Sequence, residues 1–151
     1  MKRIVAATTL AAAFVFSSAL PGLAQDAALT VQNSAEHGAY IADTEGRALY
    51  LFEADTQGQG GAGGMSMCKD DCAAAWPPLT SAGTTQASEN VSGEMIGNIQ
   101  REDGTAQVTY NGWPLYYYAK DQAPGDTTGH DIEDFGAEWY LLTPEGEKAE
   151  D

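Results

Sequence analysis

The sequence predicts an all-β fold: two pseudo-symmetric β-meander repeats packed as a small sandwich or barrel, with one short helical turn at a cysteine pair. Three observations predict it. Short runs of β-branched and aromatic residues are punctuated by Asp-Gly and Asn-Gly pairs, which supply the positive φ of tight turns. No long stretch carries the helical period. Two long segments of the chain also repeat each other, which marks a duplicated unit.

The elements follow in chain order. Lys2 and Arg3, the apolar run 4–20 and the small residues up to Ala24 form the three parts of a secretory signal peptide. Cleavage is expected after Ala24, leaving one β domain over residues 25–151. The apolar run is short of the ~20 residues of a spanning helix. No cysteine sits at the cut to take a lipid anchor, so no stable membrane insertion is expected after cleavage.

Preceded by an expected strand at 29–33, the first unit, residues 38–83, has strands expected at 39–42, 48–53 and a short 76–80 segment. Between the last two lies a glycine-rich stretch at 55–64, expected to be a flexible loop. It lacks the Lys-Ser/Thr ending that grips phosphate. Residues 69–75 have acids early and alanines after, as a helical turn would, and Pro77 and Pro78 end it. Residues 84–94 read as a linker. The second unit, residues 104–146, has strands at 106–110, 113–119 and 139–143, preceded by one at 95–101. Its turns are Asp103-Gly104 and Asn111-Gly112. Each unit alone has too few strands to bury a face, so the two must pack together.

Composition narrows the function. The chain has 22 acidic residues against 7 basic ones, a formal charge of −15. The leader holds two of the basic residues and none of the acids, so the mature chain is more acidic still. Such a charge repels nucleic acid and anionic lipid. It suits a soluble periplasmic or secreted protein and would attract cations or basic partners. Three Trp, seven Tyr and four Phe are ample for a core, which argues against disorder.

The repeat carries a motif. Residues 50–55, YLFEAD, and 116–121, YYYAKD, lie 66 positions apart. Tyr50 pairs with Tyr116, Phe52 with Tyr118 and Asp55 with Asp121. Further on, WPPLTSAG from Trp76 matches WYLLTPEG from Trp139 at an offset of 63. Tyr50 and Phe52 share one face of a strand, as do Tyr116 and Tyr118, because side chains alternate with period two. The two aspartates recur just past the strand and are expected to accept hydrogen bonds from loop amides.

At these residues the chain resembles the secreted repeat of unknown function, a family of bacterial and archaeal secreted proteins and predicted lipoproteins with a repeated Y-x-[FWY]-x-x-D motif. Paired cysteines followed by CAAAWPPL and the run DGTAQVTYNGWPLYYYAKDQAPGDTTG are similar to the family's other marks. The likeness spans about residues 38–146. The chain departs from many members in lacking an anchoring cysteine, and in having His130-Asp131 where glycines are common. The resemblance implies a secreted repeat domain and no established activity.

Cys68 and Cys72 admit three readings. On a helical turn, positions i and i+4 have Cα atoms ~6 Å apart, inside the window of a disulfide. Exported cysteine pairs are usually oxidised, and this one would pin the turn that delivers Trp76 to the core. A copper site is the sharper reading. Met65, Met67, Cys68 and Cys72 offer soft sulfur for Cu(I), and His37 and His130 would complete the set if the pseudo-symmetry brought them near. Thiol–disulfide exchange is the third, although no neighbouring base obviously lowers a thiol pKa.

The remaining signals are weaker. His37 and His130 read as solvated turn and loop residues. The acidic run 121–136 matches no calcium-loop spacing and reads as a solvated loop. No paired-carboxylate groove, Ser-His-Asp order or nucleophile elbow is present. The functional expectation is a non-enzymatic exported repeat domain that binds a protein or envelope component. Copper delivery is the alternative. Trp76, Trp113 and Trp139 are candidate binding aromatics within a mostly core aromatic set.

Overall fold

The computed structural model describes residues 27–150. The expected signal peptide and its expected cut after Ala24 lie outside the described residues. Strands make up three small three-stranded sheets, and none of them closes into a barrel. In the first sheet, β1 (Ala28–Ser34) pairs antiparallel with β2 (Gly38–Asp43), with Leu29 opposite Asp43 and Ser34 opposite Gly38. In the second, β3 (Tyr50–Phe52) leads to the only α-helical turn among the described residues, α1 (Asp71–Ala75). A short β4 (Gln86–Ala87) then returns to pair in parallel with β1, completing the first sheet. The residues expected to be a linker thus form an edge strand and a 3-10 turn over Gly93–Met95.

The second repeat supplies β5 (Ile96–Gln100), β6 (Ala106–Tyr110) and β7 (Trp113–Pro114), an antiparallel meander. Asn111 and Gly112 both have positive φ, 48° and 78°. That is the two-residue turn whose twist matches its flanking strands. The chain then builds β8 (Ile132–Asp134) and β9 (Ala137–Leu141), which join β3 in the order β3-β9-β8. The sequence hid β8 because its polar residues read as part of the acidic loop.

The decisive feature is an exchange of closing strands. Residues 76–80 do not close the first repeat, as the meander reading requires. They run beside the second: the Leu79 amide donates to the Leu115 carbonyl at 2.9 Å, and the Tyr117 amide to the Pro77 carbonyl at 2.8 Å. Conversely β9 of the second repeat pairs with β3 of the first, Phe52 opposite Trp139 and Tyr50 opposite Leu141. Pro77 and Pro78 have no N–H to give. Residues 76–80 therefore register as isolated bridges, Pro78 with Tyr116 and Thr80 with Gln107, rather than as a strand. On the pseudo-two-fold axis, Tyr50 and Tyr116 exchange both main-chain hydrogen bonds, at 2.9 and 3.1 Å.

Alternation divides the core. Tyr50, Phe52, Tyr116 and Tyr118 join Trp76, Trp139 and the two cysteines in one buried cluster. Leu49, Leu51 and Leu115, the residues between, join Leu29, Ile41, Val108 and Tyr110 in a second. Each fully buried side chain of this size contributes roughly 1.5–3 kcal/mol.

The glycine-rich stretch is a folded hairpin, not a loose loop. Thr56 bridges Met65 and Gln59 bridges Ala62. The Gly58 amide donates to the Gly112 carbonyl at 2.9 Å. A Cβ on Gly112 would lie 2.3 Å from the Gly58 carbonyl carbon, and one on Gly97 would lie 2.1 Å from the Gly61 carbonyl oxygen. Glycines here allow two backbones to touch.

Candidate functional site

The repeat motif builds its own bonding pattern across the axis. The Tyr50 hydroxyl donates to Asp121 Oδ2 at 2.6 Å, and the Tyr116 hydroxyl to Asp55 Oδ2 at 2.7 Å. Each tyrosine is therefore bonded to the aspartate of the other repeat. The other oxygen of each carboxylate does what the sequence suggests for it. Asp55 Oδ1 accepts the Met67 amide at 2.7 Å, and Asp121 Oδ1 accepts the Thr128 amide at 3.0 Å. Both aspartates are 7% exposed. Burial pushes the Asp55 carboxyl up to about 6, against the lowering effect of the Met67 amide, the Tyr116 hydroxyl and the Arg101 charge. Burial and the facing carboxylates push both tyrosine hydroxyls far above their ordinary range.

Between these pairs stand four nearly parallel rings. Phe52 stacks on Trp139 with centroids 4.1 Å apart, Trp139 on Trp76 at 3.9 Å, and Trp76 on Tyr118 at 4.0 Å. Tyr50 meets Trp76 edge-on, and Tyr116 meets Trp139 in the same way. Asp134 in β8 holds both indoles: Trp76 Nε1 donates to its carboxylate and Trp139 Nε1 to its carbonyl, each at 3.1 Å. Trp76 and Trp139 are fully buried, so neither is a surface aromatic. Trp113 is half-buried and packs against the leucine-rich cluster.

Cys68 and Cys72 form a disulfide, with Cα atoms 5.2 Å apart. It ties the chain entering α1 to the turn that carries Trp76. Ser66 and Cys68 turn inward, where Ser66 Oγ is 2.6 Å from the Tyr116 hydroxyl. Met65 and Met67 turn outward and are 58% and 53% exposed. They line a groove of about 560 Å³ whose far wall is the β5–β6 turn, Gln100 to Asp103. Arg101 holds the two walls together. Its guanidinium donates to Ser66 Oγ at 2.8 Å, to Gln107 Oε1 at 2.7 Å and to the Cys68 carbonyl at 2.6 Å. Lys69 and Glu102 pair across the mouth at 3.4 Å, both well exposed, a contact of little energy.

The six residues of the soft-metal reading fall into two groups, the four sulfur residues at or beside one groove and the two histidines at another cavity. Both cysteine sulfurs are in the disulfide, so neither is a thiolate. Met65 and Met67 share the groove with Cys68, while His130 lines a different cavity with His37, Thr127 and Asp131. The histidines do meet each other, with ring centroids 4.3 Å apart. His130 is 8% exposed rather than solvated, and its Nδ1 accepts the Leu141 amide at 3.1 Å. Among the described residues no three His, Cys, Asp or Glu side chains are grouped as a metal ion needs.

Sequence reasoning reached the motif residues but not the exchange between repeats, because the bonded partners are 71 and 61 residues apart. It read Asp134 as part of a solvated acidic loop, where the structure sets it against both indoles, and it missed Arg101. Nothing local marks either residue; each acts on a distant segment.

A family model described as a secreted repeat of unknown function matches residues 33–80 and 97–143, one stretch for each half of the pseudo-symmetry. No curated protein and no solved structure gives a match.

Proposed function

The chain belongs to the secreted repeat of unknown function family, and from that premise we propose that it is an exported, non-enzymatic binding module that engages an envelope component through the methionine groove. Cleavage after Ala24 would accompany export. The observation that carries the reading is the pair of half-exposed methionines, Met65 and Met67, on a segment pinned by a disulfide and by Arg101. Apolar side chains facing water on a rigid support are suited to recognition. The candidate tryptophans do not serve, since two of them are core. The buried aspartates are committed to structural hydrogen bonds, which favours binding over hydrolysis. Among the described residues no helix is long and apolar enough to cross a membrane.

The test labels the methionine methyl groups with 13C and titrates the mature protein with soluble envelope fractions. Met65 and Met67 are expected to shift while Met95 stays. A Met65→Glu/Met67→Glu variant should lose the response with its fold intact. Shifts that persist in that variant, or no shift with any fraction, would end this reading.

Copper delivery keeps one supporting observation, the two outward thioethers, which are soft ligands. With the disulfide closed, Cu(I) would have only those two sulfurs. Native mass spectrometry of protein from a copper-supplemented periplasm separates the readings. A chain two hydrogens light with no adduct rejects copper; a reduced chain with one copper rejects the binding module.

A further inference from the structure

The central aromatic column has a chemistry that packing alone does not require. Aromatic pairs ordinarily settle into offset or edge-on contacts, and phenylalanine at positions 50 and 116 would fill the same space. Instead each tyrosine hydroxyl is buried against a carboxylate, an arrangement that carries a desolvation cost. We propose that this column is a sink for one-electron oxidising equivalents: the stacked Trp76 and Trp139 indoles give an electron to an outer-sphere one-electron oxidant, and Tyr50 or Tyr116 refills them while passing its phenolic proton to Asp121 or Asp55.

The charges balance in two steps. The oxidant gains one electron and the indole pair becomes a radical cation. Tyrosine then supplies an electron to that cation and its proton to the facing carboxylate. The products are the reduced oxidant, a neutral phenoxyl and a protonated aspartate, with no heavy-atom bond formed or broken. Five observations support this course. The indoles stack at 3.9 Å and 4°, so the missing electron is shared over two rings. The Asp134 carboxylate bonds Trp76 Nε1 and stabilises the positive charge. Phe52 at one end of the column is the ring hardest to oxidise. At the other end the Lys120 ammonium stands 5.7 Å from the Tyr118 ring centroid and disfavours charge there. The hole is thereby confined to the indoles. The proton acceptors are at 2.6 and 2.7 Å, within the reach of direct transfer.

The probe is photogenerated tris(bipyridine)ruthenium(III), flashed with the disulfide-intact mature protein and followed by transient absorption. An indole radical is expected first, then a phenoxyl whose appearance slows in D2O. A Trp113→Phe/Tyr140→Phe variant, which lacks two rings outside the column, should keep both signals. A Tyr50→Phe/Tyr116→Phe variant should lose the phenoxyl and retain a long-lived indole radical. The proposal is overturned if no indole radical forms, if both signals vanish with Trp113 and Tyr140, or if the phenoxyl survives loss of Tyr50 and Tyr116. Should that last variant fail to fold, the D2O effect and the Trp113→Phe/Tyr140→Phe result still decide the matter.

Discussion

At the residue scale, Asp55 sets a pH dependence. Its carboxyl sits at about 6 in the folded protein, against about 4 for an ordinary aspartate. A raised folded value means that the contribution to stability is complete below pH ~4 and is lost as pH rises through 6. Two pKa units correspond to roughly 3 kcal/mol. The gap between unfolding free energies of wild type and Asp55→Asn should therefore change by that order between pH 4 and 7, with wild type losing more. Parallel curves would show that Asp55 does not titrate here. Phe135 makes a second case. It is 46% exposed at the β8–β9 turn with φ 54°, beside Gly136 at φ 88°. A bulky residue is disfavoured in that left-handed region, whereas asparagine tolerates it. Phe135→Asn should raise stability by about 1 kcal/mol in a denaturant titration.

At the element scale, the helical turn and the glycine hairpin each depend on one connection. The disulfide closes a loop of separation 4, and a loop so short is worth about 2 kcal/mol. Cys68→Ser/Cys72→Ser should cost that amount and leave the β-sheet spectrum intact. A larger loss would mean that the disulfide also fixes packing around Trp76. Gly112→Ala tests the other connection. Its methyl would meet the Gly58 backbone at 2.3 Å, so the hairpin over residues 56–65 must move away. Loss of amide-exchange protection is expected at Gly58, whose N–H bonds Gly112, before it is lost in β6.

For the whole molecule, neither repeat is self-sufficient. Residues 1–83 would lack the Asp121 acceptor of Tyr50, the Trp139 ring that stacks on Trp76, and the strand β9 that pairs with β3. A chain ending at Gly83 should be unfolded by circular dichroism, and should regain structure only when mixed with the second repeat. Independent folding of the first repeat would show that the exchange is dispensable.

Much of this was legible in residues alone. The turns at Asp103-Gly104 and Asn111-Gly112, the alternation in LYLF and LYYY and the cysteine pairing all depend on neighbours within a few positions, and the duplication shows when the sequence is aligned with itself. The local features belong to backbone preference and period, which any stretch of sequence displays. The exchange of closing strands, the crossed Tyr–Asp bonds, the stacked indoles under Asp134 and the groove beside Met65 and Met67 were decided by tertiary structure. Each joins segments separated by tens of residues, and a duplicated sequence is equally consistent with two closed meanders or two interlocked ones. Burying the motif rings on a shared axis selects the interlocked form, because each repeat then fills the other's core.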